Sequence, residues 1–308
     1  MPEPLVFPSP PRRVLAAGHG AFMAELEDGI VAARKGDLMP SKICVPEEKG
    51  ERLLWPLGTD RCVTLAPGGL VKIYERGRVA QRHSGIFAED DELVGTTEPG
   101  HGQAAILLGR MTGDPLLLPS PEYRFLVLKH TAEVLAQPSL RLPRKPVGWG
   151  LHPGGSVIFV LVRGEESDQC LGLPLDARPA EELSPPPAVA GKRASGMAVE
   201  PSTGTLALTL MGKNGHELGL IKTPAKSPTY NPLTTGLEPL DQPVWSPDGH
   251  SLSYRREGKH GQDLMVVRVL RAAPKRVAAL QPGDETLWLD GATLGVVRWD
   301  KLQRVAVP

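Results

Sequence analysis

An all-β protein, assembled from similar pieces about 44 residues apart, is what this sequence predicts, and three observations carry it. Stretches with apolar residues at helical spacing are almost absent. Short apolar or alternating runs, bounded by Gly, Pro, Asp and Asn, recur along the whole chain. One tight-turn pattern returns in seven places.

The runs come first. Leu70–Tyr74, Ser156–Val162, Thr205–Leu210, Leu264–Val269 and Leu294–Val297 have the length and β-branched content of strands. The best helical stretch, Tyr123 to Ala136, contains Val127, Thr131 and Val134 and follows a Pro-rich turn, so very little helix is expected. With 34 Gly and 32 Pro among 308 residues, the composition fits many short elements joined by turns. The 41% of hydrophobic residues is enough for a sizeable core.

The turn pattern is clearest in Pro243-Val244-Trp245-Ser246-Pro247-Asp248-Gly249-His250-Ser251-Leu252. Pro presets φ, Asp bonds to the backbone ahead of it and Gly accepts positive φ, which makes a hairpin between two short strands. Weaker copies are centred on Gly29, Gly69, Tyr123, Gly155, Gly204 and Gly291. Their spacing, with about four short strands per copy, indicates the blades of a β-propeller. Spacing is least regular between Gly85 and Gln137, where it jumps from 54 to 32 residues and Phe87–Val94 offers another turn. Seven blades are expected, with six or eight as the alternatives. Only strands Thr293–Trp299 and Leu302–Val307 follow Gly291, so Leu5-Val6-Phe7 is expected to supply the outermost strand of the last blade, closing the fold. Residues 1–11 are thus a closing or flexible segment of a single domain spanning 1–308.

Trp245-Ser246-Pro247-Asp248-Gly249 resembles the hallmark of TolB-like propellers, relatives of the WD-repeat proteins, and the other copies extend the resemblance over nearly the whole chain. The resemblance implies a bacterial propeller serving as a scaffold, a binding module or an appendage to an enzyme. TolB itself is periplasmic and carries a signal and an extra N-terminal domain. Met1–Leu15 has five Pro and two Arg in place of an apolar signal core, so a cytoplasmic protein is expected. No run has the length of a membrane helix, so no membrane insertion is expected.

Residue chemistry narrows the function classes. The 35 basic and 35 acidic residues divide evenly between the halves, so neither half is a basic arm or an acidic tail. Cys44, Cys62 and Cys170 are odd in number and far apart, which suits core residues or free thiols. The eight His show no metal-ligand spacing, and there is no G-x-S-x-G elbow. Asn214 and Asn231, the only two Asn, fall at turns, which leaves little to build a channel cation site. No catalytic residue, cofactor or metal is expected, and an enzyme is the less favoured class. Trp149, Trp245 and Trp288 stand at equivalent places and are expected to pack between blades.

One constellation remains. Five to nine residues past each aligned turn stands a cation, in Arg34-Lys35-Gly36, Glu75-Arg76-Gly77-Arg78, Lys129-His130, Arg163-Gly164, Lys213–His216, Arg255–His260 and Arg298–Lys301. These are read as tips between second and third strands, on one face. The densest run gives the candidate partner-binding residues Lys213, His216, Arg255, Arg256, Lys259, His260, Arg298 and Lys301. The alternative is charged tips of no further meaning, diluted by Glu165, Glu166, Glu257 and Asp300. Pro-rich stretches 176–187 and 223–243 are expected as long loops. The reading is a non-catalytic scaffold or binding module for one or more proteins, presenting a basic ring to an acidic surface. A small-molecule enzyme at the channel mouth, or nucleic-acid binding through the same ring, are the alternatives.

Overall fold

The computed structural model describes residues 3–34, 36–88, 90–97, 102–112, 120–129, 131–137, 141–165, 168–176, 181–183, 189, 191–222, 229–259, 261–271 and 273–307. They form an all-β fold of seven antiparallel sheets, each following the chain from its first strand outward. After β1 (Leu5–Val6), the first sheet is β2 (Arg13–Gly18), β3 (Ala21–Leu26), β4 (Gly29–Ala33) and β5 (Ser41–Cys44). The second is β6 (Arg52–Pro56), β7 (Arg61–Ala66), β8 (Leu70–Glu75) and β9 (Arg78–His83). The third is β10 (Glu92–Thr96), β11 (Gln103–Thr112), β12 (Ser120–Lys129) and β13 (Val134–Ala136), with β14 (Arg141–Leu142) also paired to β12. The fourth is β15 (Gly148–Leu151), β16 (Val157–Val162), β17 (Gln169–Pro174) and β18 (Glu181–Leu183). The fifth is β19 (Arg193–Val199), β20 (Leu206–Gly212), β21 (Gly215–Ile221) and β22 (Tyr230–Gly236). The sixth is β23 (Leu240–Trp245), β24 (Ser251–Gly258), β25 (Gly261–Arg268) and β26 (Lys275–Leu280).

The last sheet has β27 (Glu285–Asp290), β28 (Thr293–Arg298) and β29 (Lys301–Ala306), and its fourth strand is β1. Leu5 pairs with Leu302 and Val6 with Lys301, as the shortage of chain after Gly291 predicts. Leu5 and Phe7 are buried with Phe22, Val297 and Leu302, so the segment is anchored by packing as well as by its ladder.

Contacts divide the chain into two compact units. One comprises 1–92, 128–135 and 283–308, the other 93–127 and 136–282. In the first, β2 lies against β27 and β6. In the second, β15 lies against β11 and β19, and β19 against β23. Alternating residues of neighbouring sheets fill the space between them. Trp245, 7% exposed, packs with Ala207, Leu218 and Leu233 of the fifth sheet, and its Nε1 donates to Ala198 O at 3.4 Å. Trp149 stacks obliquely on Phe125 at 5.3 Å between the third and fourth sheets. Both act as inter-sheet packing.

The turn glycines have a second reason besides φ. In the second unit, Gly155, Gly204 and Gly249 all have φ between +66° and +76°, and each receives a polar side chain from the sheet before it. A Cβ would stand 1.5 Å from Gln103 Nε2 at Gly155, 2.3 Å from the His152 ring at Gly204 and 2.1 Å from Glu200 Oε1 at Gly249. Glu200, 3% exposed, accepts from Ser202 Oγ, Thr203 N and Thr203 Oγ1, so the incoming carboxylate is itself fixed.

The structure corrects several sequence expectations. Tyr123 lies inside the strand β12, because Pro121 enters a strand instead of starting a turn. The turn at Ala88–Asp91 leads into β10 and adds no blade. Of 223–243, 223–228 lie outside the described residues and most of the rest is strand: Pro232 sits on the outer strand β22, and Pro243 in a bulge of β23 with Gln242 at φ 48°. Edge strands and bulges tolerate the missing N–H. Of 176–187, Glu181–Leu183 form β18, while 177–180 and 184–187 lie outside the described residues. Cys44 and Cys62, distant in sequence, meet in one core cluster between the first and second sheets. Burial and their mutual hydrogen bond push the Cys62 thiol far up.

Candidate functional site

Strand order decides where the predicted tips lie. The turns carrying Arg163, Lys213, Lys259 and Trp299-Asp300 each join the second strand of a sheet to the third. Arg34 follows β4, Arg76 follows β8 and Lys129 ends β12, so these three join third strands to fourth. In an antiparallel sheet that is the opposite end from the second turn. The seven tips therefore do not occupy one kind of turn, and a basic ring spanning all seven is ruled out. The cause is an ambiguity of turn chemistry: Asp28-Gly29 and Pro67-Gly68-Gly69 join second to third strands, whereas Asp248-Gly249 and Asp290-Gly291 join first to second.

The seven described candidate residues belong to second-to-third hairpins, and they differ sharply in how their charge is paired. Arg298 is clamped by buried Asp284, with Nη2 to Oδ2 at 2.6 Å and Nε to Oδ1 at 3.0 Å. That hydrogen bonding holds its guanidinium above the ordinary arginine value against the effect of burial. Arg256 lies 3.4 Å from Asp263, which also takes Arg276 at 2.6 Å. These two cations are largely neutralised in place. Lys213, Lys259 and Lys301 are exposed at their turns, and His260 lies outside the described residues. Arg298 and Lys301 belong to the first unit, the other described candidates to the second.

In the second unit, His216 and Arg255 line a cavity of about 230 Å³ with Arg163, Arg193, Ser195, Met211, Leu240, Asp241, Glu257 and Gln262. It sits where hairpins of the fifth and sixth sheets meet the start of β19 and β23. Two of its guanidiniums, Arg163 and Arg193, are held from behind the lining by Asp168, whose side chain is 4% exposed. Asp168 accepts from Arg163 Nη1 at 3.1 Å, Arg193 Nη1 at 3.0 Å and Ala194 N at 2.7 Å. Arg163 Nη2 donates to Ala194 O, and Arg193 reaches Gly164 O and Glu165 O. One carboxylate thus orients two guanidiniums from adjacent sheets. Ser195 is committed elsewhere, donating to Leu240 O at 2.7 Å, so it braces β19 against β23. Arg255 Nη1 reaches Gln262 Oε1 at 3.4 Å, and Asp241 Oδ1 accepts from Gln242 N. His216 Nδ1 is buried with no hydrogen-bond partner among the described residues. Exposed Met211 lines the cavity, and exposed Leu237 lies beside the β20–β21 turn of the same sheet, its Cα 3.5 Å from where a Cβ on Gly215 would stand.

Asp168, Arg193 and Gln262 escape sequence reasoning. Asp168 does stand near the Arg163 tip, and a carboxylate beside a tip cation is the one signal that could have marked it. Arg193 opens a strand and carries no such signal. Among the described residues, no three His, Cys, Asp or Glu side chains converge as a metal site. No described helix is long and apolar enough to cross a membrane.

No family model matches the chain, and no curated protein matches it. Solved structures do. An oligogalacturonate lyase in complex with manganese is similar with a TM-score of 0.67 at 11% identity, over 97% of this chain and 89% of that one. The β-propeller domain of Myceliophteria thermophila Cps50 (Swd1) has a TM-score of 0.61 at 12% identity, over the whole of both chains. YCF48 bound to D1 peptide has a TM-score of 0.62 at 9% identity, over 99% of this chain and 95% of that one. At such identities the likeness speaks for the fold alone, and the fold is a seven-bladed β-propeller of WD40-like type.

Proposed function

We propose that the chain is a non-catalytic protein-interaction module whose contact surface is the hairpin end of the fourth, fifth and sixth sheets. The cavity between Arg163, Arg193, His216 and Arg255 carries this reading, because its charged groups are braced before any partner arrives. Preorganised groups lose little entropy on association. Leu237, 83% exposed, and Met211, 49% exposed, add apolar anchors beside the cavity, the mixture that concentrates binding energy. Lys213 and Lys259 add unburied charge that speeds encounter with an acidic surface. Solved propellers of similar fold support a protein partner: one neighbour is bound to D1 peptide, and another comes from the outer coat vertex of COPII on membranes. A cytosolic setting fits Cys44 and Cys62, which touch as free thiols. The Trp245–Gly249 turn resembles that of TolB-like propellers.

Photo-crosslinking residues placed at Met211 and Leu237 test this. The expected result is one host protein captured at both positions, whose co-purification with the chain free of crosslinker is lost when Met211 and Leu237 are both changed to Asp with the melting temperature unchanged. Capture only from control positions at the opposite turns, such as His250 or Ser202, would place the surface elsewhere.

A further inference from the structure

We propose that the cavity is a socket for a single carboxylate of a partner peptide, supplied by an Asp or Glu side chain or by a chain terminus. This rests on the interaction reading above and names the chemistry of its anchor. At about 230 Å³ the space falls below the roughly 300–1,000 Å³ of pockets that hold a whole small molecule, and it suits one inserted side chain. Its lining includes three guanidiniums, Arg163, Arg193 and Arg255. Each guanidinium has five N–H donors, and the bonds described above engage two on Arg163 and three on Arg193. Asp168 is one negative charge shared by two guanidiniums, so the pair keeps a surplus positive charge in the cavity lining. Arg255 lines the same cavity from the sixth sheet, and its Nη1 donates to Gln262 Oε1. His216 also lines the cavity, with its Nδ1 buried and without a hydrogen-bond partner among the described residues.

The rim selects which anion enters. Asp241 and Glu257 also line the cavity, Glu257 from an exposed position on β24. They repel a polyanion, whose charges continue beyond the socket, more than a single carboxylate flanked by apolar residues that meet Met211 and Leu237. Planar guanidinium forks match a carboxylate in geometry as well as charge. A peptide is therefore favoured over nucleic acid.

An array of random synthetic dodecapeptides, printed once with free C-termini and once amidated, supplies the probe, and the strongest sequences are titrated by fluorescence anisotropy. The expected sequences share one Asp or Glu when amidated, or bind only as free acids; the two formats distinguish side chain from terminus. Arg255→Gln is expected to weaken binding about tenfold and Glu257→Gln to tighten it, both at unchanged melting temperature. Higher salt should weaken binding and shrink the Glu257→Gln gain. The proposal is overturned if no peptide binds, if those bound share no carboxylate, if both variants leave affinity within about twofold, or if an oligothymidine binds more tightly than any peptide. A partner captured at Met211 and Leu237 whose binding ignores Arg255→Gln would sink the socket and leave the interaction surface standing. Failure of capture there with carboxylate peptides still bound would do the reverse.

Discussion

Replacing Gly249 by Ala separates the two demands that the turn makes on its glycine. The first is conformational: φ is +70°, where an L-residue costs roughly 1–2 kcal/mol. The second is steric, since the new Cβ would stand 2.1 Å from Glu200 Oε1. That carboxylate is 3% exposed and holds Ser202 and Thr203, so it cannot swing aside without losing charge-assisted bonds worth about 1.5–3 kcal/mol each. Losing one brings the total to about 3–5 kcal/mol. Gly68 provides the control: its φ is +74° and a Cβ there meets nothing within 4 Å, so Gly68→Ala should cost the conformational part alone. Urea denaturation of Gly249→Ala, Glu200→Ala and the double variant completes the cycle. A coupling of about 2 kcal/mol is expected, because without the carboxylate the methyl group has room. Additive single effects, or a Gly249→Ala cost no larger than that of Gly68→Ala, would refute the interlock.

Three further expectations follow from the packing and titration described above. Trp245→Ala should cost about 3–5 kcal/mol in chemical denaturation as a large-to-small change between the fifth and sixth sheets, and equal stability would show that the ring is not core. Deleting residues 1–10 removes β1 together with Phe7 and exposes the edge of β29, so the melting temperature should fall; an unchanged value would mean that the pairing contributes nothing. Burial holds the His152 imidazole below its ordinary 6.5, and its Nδ1 accepts from Gly154 N. In that window the unfolded chain binds more protons, so stability present above pH 6.5 declines as pH falls through the folded value, and His152→Gln should flatten this slope. Burial pushes Glu200 up, but its bonds from Thr203 and Ser202 outweigh this and hold it below 4.5, so a second loss should begin below that pH and be absent in Glu200→Ala.

The seven-part architecture was legible because turn residues repeat at a fixed distance, and Leu5–Val6 could be placed by the chain missing after Gly291. Which turn each motif makes was not legible. Pro-Gly and Asp-Gly satisfy any tight antiparallel connection, so Gly29 and Gly69 align in sequence with Gly249 while lying at the other end of their sheets. Pro232 and Pro243 signalled a loop because proline removes a donor, yet an edge and a bulge need no donor there. At the site, the cations could be read from the sequence and their carboxylates could not. Asp168 meets Arg193, Asp284 meets Arg298 and Asp263 meets Arg256 through sheet geometry, which no local spacing encodes. Two of the predicted contact residues, Arg256 and Arg298, thereby became internal partners.

The pairing of β1 with β29 has a consequence for how the molecule is made. Leu5 and Val6 leave the ribosome about 295 residues before the strand that receives them, Lys301–Ala306. The unit formed by 93–127 and 136–282 has all its residues by then; the unit that includes 1–92 and 283–308 does not. At ~5–20 residues per second, the early segment spends roughly 15–60 seconds with Leu5 and Phe7 uncovered. A chain interrupted before Lys301 leaves those side chains, and the edge of β28, permanently open. Such an edge is a ready template for joining another chain, so early termination should be visible as aggregation rather than as a shorter folded protein.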